Sequence, residues 1–144
     1  MGNITEKAKY KFNNGYNCCQ AVLCACCELF DMREKDAIRI TEGFGSGIAG
    51  LKETCGAVTG MAMTAGLINS AGDLDNPKKT KPETYRIIQE MMEEFREKNG
   101  SLKCGDILKG DGVNQLRSCE GCVEDASNLI QKYFSNEMAN SDIS

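Results

Sequence analysis

Histidine is absent from the 144-residue sequence. Without imidazole there is no Ser-His or Cys-His nucleophile pair, no His-ligated zinc or haem, and no His general base. Basic side chains number 17 against 21 acidic ones, for a net charge of -4, and they form no basic stripe of the kind that neutralises phosphates. Nucleic acid is therefore excluded as the expected partner. The longest weakly apolar stretch, Gly56 to Ile68, falls well short of the roughly 20 residues that a membrane span needs, so no membrane insertion is expected. Met1 to Glu6 lacks the basic and apolar regions of a secretory signal, and Glu6 stands where a myristoylation signal wants Ser or Thr. The expected location is cytoplasmic. There is also no run of alternating strands and no internal repeat.

Nine cysteines stand out against these absences. An odd number of thiols in a reducing compartment speaks against a disulfide framework and for metal ligation or redox chemistry. The surrounding pattern is helical. Asn3 and Glu6 form a capping pair ahead of Ile4, Ala8 and Phe12, and Asn13-Asn14-Gly15 stops that helix. A second helix is expected from Asn17 to about Met32, with Cys18, Val22, Ala25 and Leu29 on one stripe and Cys19, Leu23, Cys26 and Phe30 beside it, so it reads as buried.

A short helix from Glu34 to Glu42 leads to a glycine-rich turn, Gly43 to Gly50. Thr54 caps a helix of small residues, in which Gly56, Gly60, Ala62 and Gly66 would let a neighbour approach closely. A polar connection from Asn69 to Lys79 is followed by a capping box, Thr80 to Glu83, and a helix ending at Asn99-Gly100. Ser101 to Lys109 forms a further short helix, and Ser118 caps a last one carrying Val123, Ala126, Ile130 and Phe134. The expectation is one all-α domain over residues 1–144, a bundle of five to seven helices with the glycine-rich turn beside a cysteine cluster, and a frayed tail over 136–144.

On this reading Cys18, Cys55 and Cys119 each directly follow a good N-cap residue, and Cys104 lies in the first turn of its own helix. There, free N–H groups and the positive end of the helix dipole favour an anion, which suits a reactive or metal-bound thiolate. Cys24, Cys26 and Cys27 fall deep in the second helix and are expected to act as small hydrophobes. Cys19 sits on the adjacent stripe. Cys122 shares a helical face with Cys119 as a C-x-x-C pair. The intervals between the four first-turn cysteines are unlike compact ferredoxin runs, so the fold must gather them.

Gly45-Ser46-Gly47-Ile48-Ala49-Gly50 satisfies G-x-G-x-x-G, but nothing supplies the parallel strands of a dinucleotide fold, so the glycines are read as a turn beside a helix or bound centre. Glu93, Glu94, Glu120, Glu124 and Asp125 are expected on solvated faces. Met61, Met63, Met91 and Met92 are expected as core fillers.

An ordered set of segments resembles a known family. Tyr16-Asn17-Cys18-x-Gln20-Ala21-Val22, Gly43-Phe44-Gly45-x-Gly47, Cys55-Gly56-Ala57-Val58-Thr59-Gly60, Cys104 with Ile107-Leu108, and Cys119 with Val123 look like the redox-active proteins named for their C_GCAxxG_C_C cysteine pattern. The resemblance implies a small helical domain whose four characteristic cysteines are Cys18, Cys55, Cys104 and Cys119 here. Related domains are fused to or associated with electron-transfer modules, including the N-terminal part of split-Soret cytochromes. An iron–sulfur centre on that quartet, with Gly45, Gly47 and Gly56 beside it, is the leading expectation. The function implied is electron transfer or redox sensing with an unidentified redox partner protein, in a chain that could pair as a homodimer. Two alternatives stay open: metal-free thiol–disulfide chemistry, with Cys119 or Cys55 attacking and Cys122 or Cys104 resolving, and a structural zinc site. The chain departs from the usual pattern by adding Cys19, Cys24, Cys26, Cys27 and Cys122.

Overall fold

The computed structural model describes residues 3–140. Local capping sets the first two elements. The Asn3 side chain accepts from the Glu6 N–H at 2.9 Å and starts α1 (Ile4–Phe12). Asn17 and Gln20 exchange side-chain and backbone hydrogen bonds at 2.8 and 2.9 Å, a full capping box that starts α2 (Cys18–Cys24). All seven residues of α2 are buried. Then follow α3 (Glu34–Thr41), α4 (Gly56–Asn69), α5 (Lys81–Asn99), α6 (Cys104–Lys109), α7 (Cys119–Tyr133) and α8 (Ser135–Asn140).

The all-α expectation holds. The described residues contain no strand, only an isolated antiparallel bridge between Thr54 and Lys103. They contain eight α-helices where five to seven were expected, because α8 occupies the start of the stretch expected to fray. Residues 141–144 of that stretch lie outside the described residues. No helix among the described residues is long and apolar enough to cross a membrane.

The main core is shared by α1, α2, α4, α5 and α7, with Ile4, Val22, Val58, Met61, Phe95 and Ile130 fully enclosed. Burial of each such side chain removes apolar area worth roughly 1.5–3 kcal/mol from water. Met91 is likewise buried and Met92 packs at the core edge, as expected of fillers, and Met63 packs instead against a smaller cluster around Leu23 and Ala37. The small-residue helix works over half its length. A Cβ on Gly60 would stand 2.9 Å from the Cys19 carbonyl oxygen, so α2 and α4 touch backbone to backbone there, whereas Gly66 faces open space.

Three local expectations are corrected. The second helix ends at Cys24, not Met32, and the chain continues through a 3-10 turn, Cys27–Leu29, before Asp31 adopts a left-handed conformation. The reason is tertiary. Gln20 Nε2 donates to the Ile38 carbonyl at 3.1 Å and Tyr16 bonds Glu34, so α3 must fold back along α2. Thr80 does not cap α5 with its side chain; its hydroxyl accepts from the Ala71 N–H at 3.1 Å and ties down the polar connection. Asp125 is not solvated. It is 3% exposed, held by Arg117 through both carboxylate oxygens at 3.0 and 3.2 Å and by Lys98 at 3.0 Å.

Candidate functional site

Four separate stretches of chain meet at the N-terminal end of α2. Cys18 is its first residue, fixed by the Asn17–Gln20 box, and the Asn17 amide also donates to the Glu42 carbonyl at 3.1 Å. Cys55 is the N-cap residue of α4 itself, where the sequence suggested Thr54. Thr54 is instead paired with Lys103, and around it the Cys55 N–H donates to the Leu102 carbonyl at 2.8 Å and the Cys104 N–H to the Glu53 carbonyl at 2.6 Å. This short antiparallel contact locks Cys55 beside Cys104, the first residue of α6. That helix starts at Cys104 after Lys103, not at Ser101. Cys119 begins α7 as expected, with the Ser118 hydroxyl accepting from the Gly121 N–H at 3.0 Å, and Cys122 follows one turn later.

The glycine-rich turn closes over this end. Ser46, Gly47, Ile48, Ala49, Gly50 and Lys52 all take positive φ, and the loop is stapled by the Glu53 N–H donating to the Gly47 carbonyl at 2.8 Å. Non-glycine residues rarely hold such angles, so the loop is strained and its packing must over-determine it. A Cβ on Gly47 would meet Lys52 Cα at 2.6 Å and Cys104 Cβ at 2.7 Å; one on Gly56 would meet the Phe44 carbonyl oxygen at 2.9 Å and Cys18 Cβ at 3.2 Å. Both glycines are therefore close-approach positions against the cysteines.

Together these elements enclose a cavity of about 30 Å³ lined by Cys18, Cys55, Cys104, Cys119 and Cys122, with Gly47, Gly56 and Arg117 in its wall. As the thiols stand, this space takes a single ion or water, so a larger centre would have to part them. The thiols interact in pairs. Cys18 and Cys119 stand near enough to shift each other's protonation: the Cys18 thiol is pushed up by Cys119 and by burial, while the Cys119 thiol falls below its ordinary range, helped by Lys52. Cys55 and Cys122 form the second pair. Cys122 is pushed up, and Cys55 is drawn down by Cys122 and by the N–H groups of Ala57 and Val58 at the start of α4. Burial raises Cys104, with Lys52 opposing.

All four cysteines singled out from their capping positions line this cavity, and so does Cys122. Gly47 and Gly56 line it; Gly45 does not, and instead abuts the Asn17 side chain, where a Cβ would come within 2.6 Å of Nδ2. Cys19 faces α4, and burial pushes it up to about 12. Cys26 is enclosed in the main core, as expected of a small hydrophobe. Cys24 and Cys27 stand elsewhere, at the far end of α2. Two cations escaped the sequence reading, Lys52 and Arg117. A trace of Arg117 was present: Gly121, in the first turn of α7, is where a Cβ would collide with the Arg117 guanidinium, so a glycine after the Ser118 cap marks a side chain lying across it.

Five thiols, no imidazole and two cations make a donor set suited to soft, thiolate-bound metal centres, zinc or iron–sulfur. No three Cys, Asp or Glu among the described residues stand close enough to be ready metal ligands. The chemistry of the donors fits such a centre, and a single ion would draw the sulfurs closer than they stand.

No solved structure matches the chain. An uncharacterized protein of Archaeoglobus fulgidus is 27% identical over 136 residues, covering 88% of this chain and 90% of that protein. The sequence profile of one family matches residues 16–133, a span that begins just before Cys18, ends at the close of α7 and holds every cavity cysteine. The chain belongs to that family, described as "Putative redox-active protein (C_GCAxxG_C_C)".

Proposed function

We propose that this protein transfers or senses electrons through an iron–sulfur cluster ligated by Cys18, Cys55, Cys104 and Cys119. The observation that carries the reading is the meeting of thiols from four distant chain segments on one enclosed cavity beside Lys52 and Arg117. Such a cluster, when bound, supplies one-electron chemistry at a potential set by its hydrogen bonds, local charge and exposure. The chain's own contribution is orientation and charge. The dipoles of α4 and α7, fourteen and fifteen residues long, point their positive ends at Cys55 and Cys119, and the shorter α2 and α6 add less. Lys52 offsets thiolate charge at Cys119 and Cys104, and Arg117, paired with Glu124 and Asp125, stands in the cavity wall. Cys122 is a fifth sulfur within reach of Cys55.

The neighbouring Cys18–Cys119 pair favours one second reading, metal-free dithiol chemistry in which two thiols become a disulfide and pass two protons and two electrons to a redox partner protein. Purification without oxygen, followed by iron, acid-labile sulfide and visible absorption measurements, separates the readings. A brown protein bleached by dithionite is expected. Colourless protein that still takes up no iron or sulfide on reconstitution overturns the cluster; reversible Cys18–Cys119 oxidation in that sample then points to the dithiol, and zinc with no redox response to a structural site.

A further inference from the structure

Cys24 and Cys27 lie outside the family's pattern and outside the cavity just described. Cys24 is the last residue of α2 and Cys27 the first of the 3-10 turn; the Cys27 thiol donates to the Leu23 carbonyl at 4.0 Å, and the two thiols stand near enough to shift each other's protonation. Inside a regular α-helix, residues three apart hold their Cβ atoms about 5–6 Å apart. A disulfide spans about 3.5–4.5 Å between Cβ atoms. The helix breaks between these two residues: Cys26 has φ -109° and ψ 6°, and its own side chain turns into the main core. The early end of α2 thus relaxes the helical constraint on this pair and turns Cys26 away from it. Both residues, largely buried at 4% and 8% exposure, border an open groove of about 710 Å³ between α1, the 3-10 turn and the start of α3. This groove is more than twenty times the volume of the five-cysteine cavity, so it admits a molecule rather than an ion.

The groove carries its own electrostatics. Lys7 pairs with Glu28 at 3.0 Å and Lys11 with Glu34 at 2.6 Å, and Glu6 and Asp31 add two more carboxylates, so four acids stand against two ammonium groups. An entering molecule meets net negative charge.

We propose that Cys24 and Cys27 form a second redox site, a dithiol that exchanges with neutral or positively charged disulfides entering this groove. Cys27 is the attacking sulfur: it is the more exposed of the two, 8% against 4%, and the Cys24 thiol and Lys11 favour its thiolate against burial and the Glu34 and Glu28 charges. Its Sγ bonds to one sulfur of R–S–S–R, the S–S bond breaks, and the leaving thiolate takes up a proton as R–SH. Cys24 then gives up its proton to solvent and attacks Cys27 Sγ, and the second R–S⁻ leaves and is protonated. The protein dithiol has been oxidised to a disulfide, and the two electrons reside in two molecules of R–SH. Nothing in this exchange passes through the five-cysteine centre.

The test treats the full chain, prepared without oxygen, with cystamine or with oxidised glutathione. Remaining thiols are then blocked with iodoacetamide, and fragment ions of the tryptic peptide over residues 12–33 locate the modified cysteines. The expected product is a Cys24–Cys27 disulfide, formed about tenfold faster with cationic cystamine than with the anionic reagent. Cys26 stays reduced until the protein is unfolded. In C24S a mixed disulfide accumulates at Cys27, and in C27S none forms at Cys24. Reduced, alkylatable Cys24 and Cys27 after cystamine treatment would overturn the proposal, and so would a faster reaction with oxidised glutathione. The wild-type map decides even if a variant fails to fold. Iron content measured on the same samples reports separately on the other centre.

Discussion

Helix α2 carries a thiol pair at each end, and the two ends are built by different means. At its start, Cys18 meets Cys119, brought from far along the chain by the capping of α7, the Thr54–Lys103 contact and a loop in strained geometry. At its finish, Cys24 meets Cys27 within one turn of chain. The ends are six residues apart in a seven-residue helix, about 9 Å along the axis. One centre exists only when the bundle is assembled, whereas the other needs little more than a local break in a helix. Perturbations of long-range packing should therefore damage the first and spare the second.

The largest contrast is expected in metal retention. Cys55→Ser should lower iron bound per chain more than about tenfold, while C24S leaves it unchanged, as measured by metal analysis after anaerobic purification. Equal iron in both variants would dissolve the distinction between the ends.

Next come the glycines. Gly47→Ala forces a Cβ into Lys52 and Cys104 at a left-handed backbone position and should cost about 1–3 kcal/mol in denaturant unfolding. Gly66→Ala, in open space within α4, should stabilise by about 0.5–1 kcal/mol. If Gly47→Ala proves neutral, the loop is not held as tightly against Cys104 as its geometry indicates.

Asp125→Asn removes the charge that holds Arg117 across the first turn of α7. A loss of about 1 kcal/mol is expected, reduced because Arg117 is partly exposed and water can replace part of the contact. Alkylation of Cys119 should accelerate while that of Cys27 does not change. Unchanged reactivity at Cys119 would mean that Arg117 does not position this end.

The subtlest difference lies in pH dependence. On metal-free protein, a Cys119 pKa below the ordinary thiol value means that its thiolate persists as pH falls, so its alkylation should continue through neutral pH and fade only under acid conditions. Cys104, raised by burial, should react only as the solution becomes alkaline. Coincident rate profiles for the two would refute the pairing of Cys119 with Cys18.

Much of this was legible in the residues. Asn3, Asn17 and Ser118 announced their helices because a short side-chain acceptor satisfies an N–H two or three residues on, wherever the rest of the chain goes. Cys18 and Cys119, the cysteines beside two of these caps, line one cavity with Cys55, Cys104 and Cys122. Thr54 and Thr80 misled for a common reason: each had a tertiary partner, Lys103 and Ala71, and a cap is only one use of a threonine. Cys24 and Cys27 read as small hydrophobes, and both are buried with Leu23 and Ala37; what the apolar stripes hid, by running on past Cys24, is the end of the helix. Periodicity does not register a helix that must stop so that α3 can return along it.

What the sequence determined alone is the chemistry available: sulfur without imidazole, a helical pattern with no alternating strands, and the side-chain caps that begin α1, α2 and α7. Composition and nearest neighbours settle these, since they depend on groups a few residues apart. Which sulfurs face one another, where Arg117 and Lys52 bring their charge, and which glycines touch cysteines were decided only in three dimensions. Those contacts join residues tens of positions apart, and their energies exist only once the helices have packed.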